Sequence, residues 1–188
     1  MNLIKEQIEE SIRINREIIK QSTVIEKIAN SIISSFKKNG KVFICGNGGS
    51  ASDSQHIAAE FINKFRFDRT PLPAISLTSD TSVLTSISND YDFENIFERQ
   101  IKALGRENDI LIALTTSGKS KNVINAVRMA KKIGMRTIVF TGDQGIQEKT
   151  DICLKIPSKE TPRVQEAHIL TLHIICDIVE RKIFNKIK

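Results

Sequence analysis

His56 and Glu60 stand four residues apart in the run CGNGGSASDSQHIAAEF, residues 45–61. On a helix that spacing makes an imidazole and a carboxylate neighbours on one face. Such a pair can move protons or, with further donors, hold a divalent cation. Alone it is more often a surface hydrogen bond. Its position gives it more weight, because it follows a Gly- and Ser-rich loop, Gly46 to Ser50, whose backbone N–H groups and hydroxyl suit a phosphate. A second loop of this kind, TTSGKSKN, offers hydroxyls at Thr115, Thr116, Ser117 and Ser120 just before a helix start. His168 and His173 lie in an apolar C-terminal stretch with Gln165 and Glu166 just ahead of them. His168 reads as a core residue. Burying so many polar groups is costly unless they find partners or a ligand.

Nucleotide motifs account for neither loop. Gly46, Gly48 and Ala51 satisfy G-x-G-x-x-G/A, but that fingerprint also wants an acidic residue about 20 positions on, ending the next strand. Asp68 has the spacing but precedes the strand, and Asp80 lies too far along. The GKS of Gly118 to Ser120 is a P-loop fragment whose first glycine would fall on Ala113.

The elements that must carry these groups show in the apolar spacing. Residues 2–38 read as an amphipathic helical arm, with Ile4, Ile8, Ile12, Ile18, Ile25, Ile28, Ile32 and Phe36 at helical intervals. A capping-box pattern at Thr23 to Glu26 predicts a break near Ser22, and Asn39 with Gly40 predicts the stop. Part of this arm is expected to pack on another subunit. Beyond it, apolar runs at 41–45, 73–77, 109–115, 136–141 and 151–156 alternate with helical stretches at 50–65, 80–104 (broken near Asn89) and 120–133. That alternation predicts an α/β fold, a parallel sheet covered by helices on both faces. The last segment, 161–187, is apolar around most of its circumference, so it is expected at the centre of an oligomer, with Ile175 in the interface.

Composition narrows the classes. With 40% hydrophobic and 27% charged residues the chain reads as a globular protein of one domain. Its apolar runs are too short for a membrane span, and its N-terminus lacks a signal-peptide pattern, which points to the cytoplasm. The +6 net charge is dispersed and tryptophan is absent, so nucleic acid is not an expected partner, while a small anion is. Cys45, Cys153 and Cys176 are widely spaced in apolar stretches and read as buried, reduced thiols.

Four motifs in order, CGNGGSASDSQHIAAEF, SNDYDF, TTSGKSKNV and TPRVQEAHILTLHIICDIVE, resemble the phosphoheptose isomerases, a bacterial family of sugar isomerase (SIS) domain enzymes. The likeness covers nearly the whole chain. It implies a three-layer αβα sandwich on a five-stranded parallel sheet, flavodoxin-like, with residues 1–188 as one SIS domain and 1–38 as its helical arm. It implies interconversion of sedoheptulose 7-phosphate and D-glycero-D-manno-heptose 7-phosphate through an enediol, the first step toward heptose for lipopolysaccharide or related glycans. It implies a homotetramer with sites between subunits and one Zn2+ per subunit. Carried over residue by residue, the metal ligands fall on His56, Glu60, Gln165 and His173, and the catalytic pair on Glu60 and His173. The sugar-phosphate contacts fall on Asn47, Ser50, Asp90, Thr115, Thr116, Ser117, Ser120 and Gln165. Lys119 departs from the family's small polar residue and adds a cation beside the phosphate loop. Gln165 and His173 are eight residues apart, about 12 Å along a helix, so they meet one ion only by leaning together. The alternative is a non-catalytic SIS-domain regulator that binds the replication initiator DnaA. Such a module has no reason to keep all four ligand positions.

Overall fold

Two helices, α1 (Leu3–Ile19) and α2 (Ser22–Lys37), lead into strand β1 (Val42–Cys45) in the computed structural model, which describes residues 2–185. There follow α3 (Gly49–Ile62), β2 (Ala74–Ser76), α4 (Thr81–Asp90), a short 3-10 turn (Phe93–Asn95), α5 (Ile96–Leu104), β3 (Ile110–Thr115), α6 (Lys121–Ile133), β4 (Arg136–Thr141), β5 (Ile152–Lys155) and α7 (Thr161–Ile183). All five expected strands form, and they pair in parallel in the order β2-β1-β3-β4-β5.

Strand side chains alternate between two cores, as the pleat requires. Val42, Ile44, Ile110, Ile112 and Leu114 point into the layer built by α1, α2, α3 and α7. Phe43, Cys45, Leu111 and Ala113 point into the layer built by α4, α5 and α6. Both faces of the central strands are dry, which is why their sequences read as unbroken apolar runs.

Several boundaries differ from the sequence reading. The arm breaks where expected, but not through the capping box. Gln21 is the N-cap residue of α2 and makes no side-chain cap bond. Its Nε2 instead donates to the Lys155 carbonyl on β5 at 2.7 Å. Asn39 takes the left-handed backbone predicted for the stop, with φ 60°. Helix α3 ends at Ile62 rather than 65, because the N–H groups of Phe65 and Arg66 turn away to donate to Glu180. Residues 186 and 187 of the expected last helix lie outside the described residues, and α7 ends at Ile183.

The arm packs on its own chain. Ile14 and Ile18 of α1 and a stripe on α2, including Ile28 and Ile32, are buried in the same cluster as Leu172 and Val179 of α7. Ile175 is also inside this core, 1% exposed, so it does not face a partner and a charge there would unfold the subunit. The exposed apolar residues of α7 are Leu170 and Ile174, and those of α1 include Leu3, Ile4, Ile8 and Ile12. Cys45 and Cys176 are buried thiols with pKa values pushed up by burial, that of Cys45 to about 12, whereas Cys153 is only partly buried.

His168 is a core residue, as expected. It is fully buried, edge-on to Phe140, and neither ring nitrogen completes a hydrogen bond. Burial lowers its pKa to about 4, with the nearby Thr141 backbone only tempering the effect. The unfolded chain therefore binds a proton that the folded chain refuses between about pH 6.5 and 4. This contribution to stability is fully present above about pH 6.5 and is lost as pH falls toward 4. Acid should cost roughly 3 kcal/mol through this one group. Urea unfolding at pH 7 and pH 4.5 should show that loss in the wild type, and a His168→Leu variant should lose distinctly less.

Candidate active site

Strands β1 and β3 are neighbours, yet β1 connects outward to β2 and β3 connects the other way to β4. At such a switch point the loops leave in opposite directions and open a crevice beyond the carboxyl ends of the strands, where open parallel sheets bind ligands. The two loops singled out in the sequence flank this crevice, Gly46–Gly48 after β1 and Thr116–Ser120 after β3. Asn47 and Asn122 join them with a reciprocal amide pair, Asn47 Nδ2 to Asn122 Oδ1 at 2.9 Å and Asn122 Nδ2 to Asn47 Oδ1 at 2.8 Å.

Neither helix that starts at the crevice is capped by a side chain, Gly48 preceding α3 and Ser120 preceding α6. The Ser50 and Ala51 N–H groups turn back to the Asn47 and Gly48 carbonyls and the Val123 N–H to Asn122 Oδ1, so an anion would meet the positive ends of the two helices and their remaining first-turn N–H groups. The second loop is organised from within. Thr115 Oγ1 accepts from the Gly118 N–H at 3.1 Å and lies 3.3 Å from Ser120 Oγ, and Ser117 Oγ accepts from the Lys119 N–H at 3.2 Å. Ser50 is buried at the start of α3, and Lys119 is exposed.

One and a half turns on from Ser50, His56 and Glu60 do share a face of α3, and α7 brings His173 against them. His56 Nε2 lies 3.0 Å from Glu60 Oε1 and 3.0 Å from His173 Nε2. One ligand atom from each of these three residues lies within 4.8 Å of the others. Tetrahedral zinc with bonds of about 2.05 Å holds its ligand atoms about 3.3 Å apart, so the donor types and their separations fit that ion. Burial, and then the adjacent His56, hold the His173 pKa below the usual histidine value, against the pull of Glu60 and Asp53. A neutral imidazole is the form that ligates a metal or accepts a proton.

Gln165 lies about two turns back from His173 along α7, where it meets Asp53, about a turn back from His56 along α3. Its Nε2 is 3.5 Å from Asp53 Oδ1, and its carboxamide sits so close over Gly49 that a Cβ there would overlap it. Asp53 was not singled out in the sequence, although it is three residues before His56 and so on the same face. It is buried, its Oδ2 has no partner, and burial raises its pKa. Asn122 was also missed, although it ends the second loop motif. Asp90 is the one expected contact residue with no described link to the rest. It ends α4, is exposed, and accepts a bond from its neighbour Asn89.

The SIS domain family matches residues 7–142. Phosphoheptose isomerase from Clostridium acetobutylicum is 53% identical over 190 residues, covering 98% of this chain and 97% of that one. The enzyme of the same name from a Roseiflexus species is 50% identical, covering 96% and 93%. Among solved structures, a phosphoheptose isomerase from Francisella tularensis superposes with a TM-score of 0.91 at 38% identity, covering 95% of this chain and 96% of that one. That from Neisseria gonorrhoeae does so with 0.87 at 41%, covering 94% and 96%. Identity at this level over nearly the whole length, with a solved relative superposing at a TM-score of 0.91, makes the chain a member of the phosphoheptose isomerase family of SIS-domain enzymes.

Proposed function

We propose that this isomerase interconverts sedoheptulose 7-phosphate and D-glycero-D-manno-heptose 7-phosphate. The observation that carries the reading is the convergence of Glu60 and His173, with His56, one and a half turns after a phosphate-type loop. The names of the relatives point the same way. The phosphate sits against Ser117, Ser120 and the uncapped start of α6, with Asn47, Ser50, Thr115, Thr116 and Gln165 around the sugar. Asp90, though not linked to the others in the single chain, completes the contacts. Phosphate binding supplies energy remote from the reacting carbons and holds C1 and C2 in register.

Glu60 takes the proton from C1 of the open-chain ketose and returns it to C2 through the enediol, while His173 passes the hydroxyl proton between O2 and O1. A zinc ion held by His56, Glu60, His173 and Gln165 supplies Lewis acidity toward those oxygens when bound. Asp53 Oδ1, which faces Gln165 Nε2 at 3.5 Å, suits a role in orienting Gln165. A non-catalytic regulator would give no use to three donors aimed at one point.

The reading includes a single SIS domain with residues 1–38 as its arm, acting in the cytoplasm. Among the described residues no helix is long and apolar enough to cross a membrane. It also includes a homotetramer, supported by the exposed apolar residues Leu3, Ile4, Ile8 and Ile12 of α1 and Leu170 and Ile174 of α7. Sedimentation at micromolar concentration should give a tetramer mass. Ile174→Asp should lower that mass while the melting temperature of the subunit changes little, because Ile174 is exposed in the single chain. A monomeric wild type would remove the tetramer from the reading.

Pure protein with sedoheptulose 7-phosphate, and without nicotinamide or ATP, should form the aldose. In D2O the product should carry solvent deuterium at C2, because a carboxylate exchanges its proton with water. No product across a range of divalent metals would sink the proposal.

A further inference from the structure

Glu180 and Arg69 are charged, 111 residues apart, and 1% and 2% exposed at their side chains. Their ion pair, Arg69 Nε to Glu180 Oε1 at 3.0 Å, is the centre of a larger arrangement. Glu180 Oε1 also accepts from the Phe65 N–H, and Oε2 from the Arg66 N–H, each at 2.8 Å. Arg69 Nη2 donates to the Glu60 carbonyl at 2.8 Å and Nη1 to the Phe61 carbonyl at 2.7 Å. Those are among the last carbonyls of α3, the ones a helix leaves without partners, and a cation there also suits the helix dipole. Arg69 therefore caps the helix that carries His56 and Glu60, and Glu180 fastens that cap to the helix that carries His173. A second strut lies beside it, with Asp177 Oδ1 accepting from Arg66 Nε at 2.9 Å. On α7, His173, Asp177 and Glu180 are spaced four and then three apart, which puts all three on one face.

Stability alone is a poor reason for this construction. Desolvating two charges offsets most of their attraction, and packed apolar residues often serve as well. An apolar pair could not bond four backbone groups or fix one helix against the other. Catalytic and metal geometry needs that fixing, since a misplacement of about 1 Å can cost about 10²-fold in rate.

We propose that Arg69 and Glu180 are positioning residues, a buried clamp that sets the distance from Glu60 and His56 on α3 to His173 on α7. Through that distance they set both metal affinity and turnover. The proposal rests on the assignment of Glu60 and His173 as the reacting and ligating groups. Glu180→Gln keeps the shape and removes the charge. Arg69→Lys keeps the charge and the pairing but loses the two-pronged grip on the α3 carbonyls, and it decides the matter if the first variant does not fold. Ile101→Ala, in the core on the opposite face of the sheet, serves as a control for lost stability without a clamp defect.

Each protein is assayed below its melting transition for kcat, KM and zinc affinity by chelator competition. Both clamp variants should lose about 10²-fold in kcat and ~10–100-fold in zinc affinity, with KM within about threefold, since the phosphate loop is untouched. Ile101→Ala should melt lower with both quantities near wild type. Folded clamp variants with kcat and zinc affinity within about twofold of wild type, or no worse than Ile101→Ala, would overturn the proposal. A wild type that takes up no zinc counts against the metal assignment and leaves the clamp to be judged on kcat. A wild type without isomerase activity counts against the proposed function and leaves it to be judged on zinc affinity.

Discussion

Glu60→Gln is expected to lower turnover by ~10²–10⁴, the usual contribution of general acid–base catalysis, with little change in substrate binding. The amide keeps the size of the carboxylate and an oxygen facing His56, 3.0 Å away in the native site, but it cannot take a proton from carbon. His173→Gln should fall by a similar factor, since it removes the only imidazole that α7 directs at the α3 pair. His168→Gln should stay within several-fold of wild type, because that ring faces Phe140 rather than the triad. Metal analysis of the same proteins divides the roles. Zinc retained with turnover lost assigns proton transfer, while zinc lost along with turnover assigns ligation a share of the defect. Near wild-type turnover in both Glu60→Gln and His173→Gln would refute the mechanism.

That reasoning was accessible from the sequence because its parts are local. The i, i+4 pair, the hydroxyl-rich loops and the five apolar runs each declare themselves within a few residues, and the strands formed within a residue of their expected ends. What escaped depends on contacts distant in sequence. The Asn47–Asn122 amide pair spans 75 residues and the Arg69–Glu180 clamp spans 111. Arg69 looks in sequence like one more solvated cation. The early end of α3 has the same origin, since Glu180 draws off the next N–H groups. Helix α7 misled in another way. Its apolar circumference is real, but one side is filled by its own subunit, including Ile175, and only Leu170 and Ile174 stay exposed. Hydrophobicity marks a side chain for burial without saying by what.

Gly118→Ala should damage the other half of the site, raising KM for the sugar phosphate by ~10–100-fold, which corresponds to about 1.4–3 kcal/mol of lost binding. Two effects add. Gly118 has φ 69°, a left-handed backbone that costs an L-residue about 1–2 kcal/mol. A Cβ there would also overlap the Gly145 carbonyl oxygen, which is backbone and cannot rotate aside. The Gly145 carbonyl is also held by a hydrogen bond from the buried Thr141 Oγ1 at 3.2 Å, which moving it aside would strain. The strain is relieved most easily by shifting the 116–120 loop, which breaks the bond from Gly118 N–H to Thr115 Oγ1 and moves Ser117 and Ser120 away from the proposed phosphate position. Turnover should drop as well, though less, because phosphate binding energy holds the reacting carbons against Glu60. Zinc content should not change, since the proposed ligands lie on α3 and α7. Gly48→Ala separates strain from collision, having a positive φ of 56° but open space where its Cβ would lie. It should show the milder defect. Competitive inhibition by inorganic phosphate offers an independent reading, and it should weaken in Gly118→Ala in step with the rise in KM. A folded Gly118→Ala protein with unchanged KM and unchanged phosphate inhibition would mean that the anion binds elsewhere than at the start of α6.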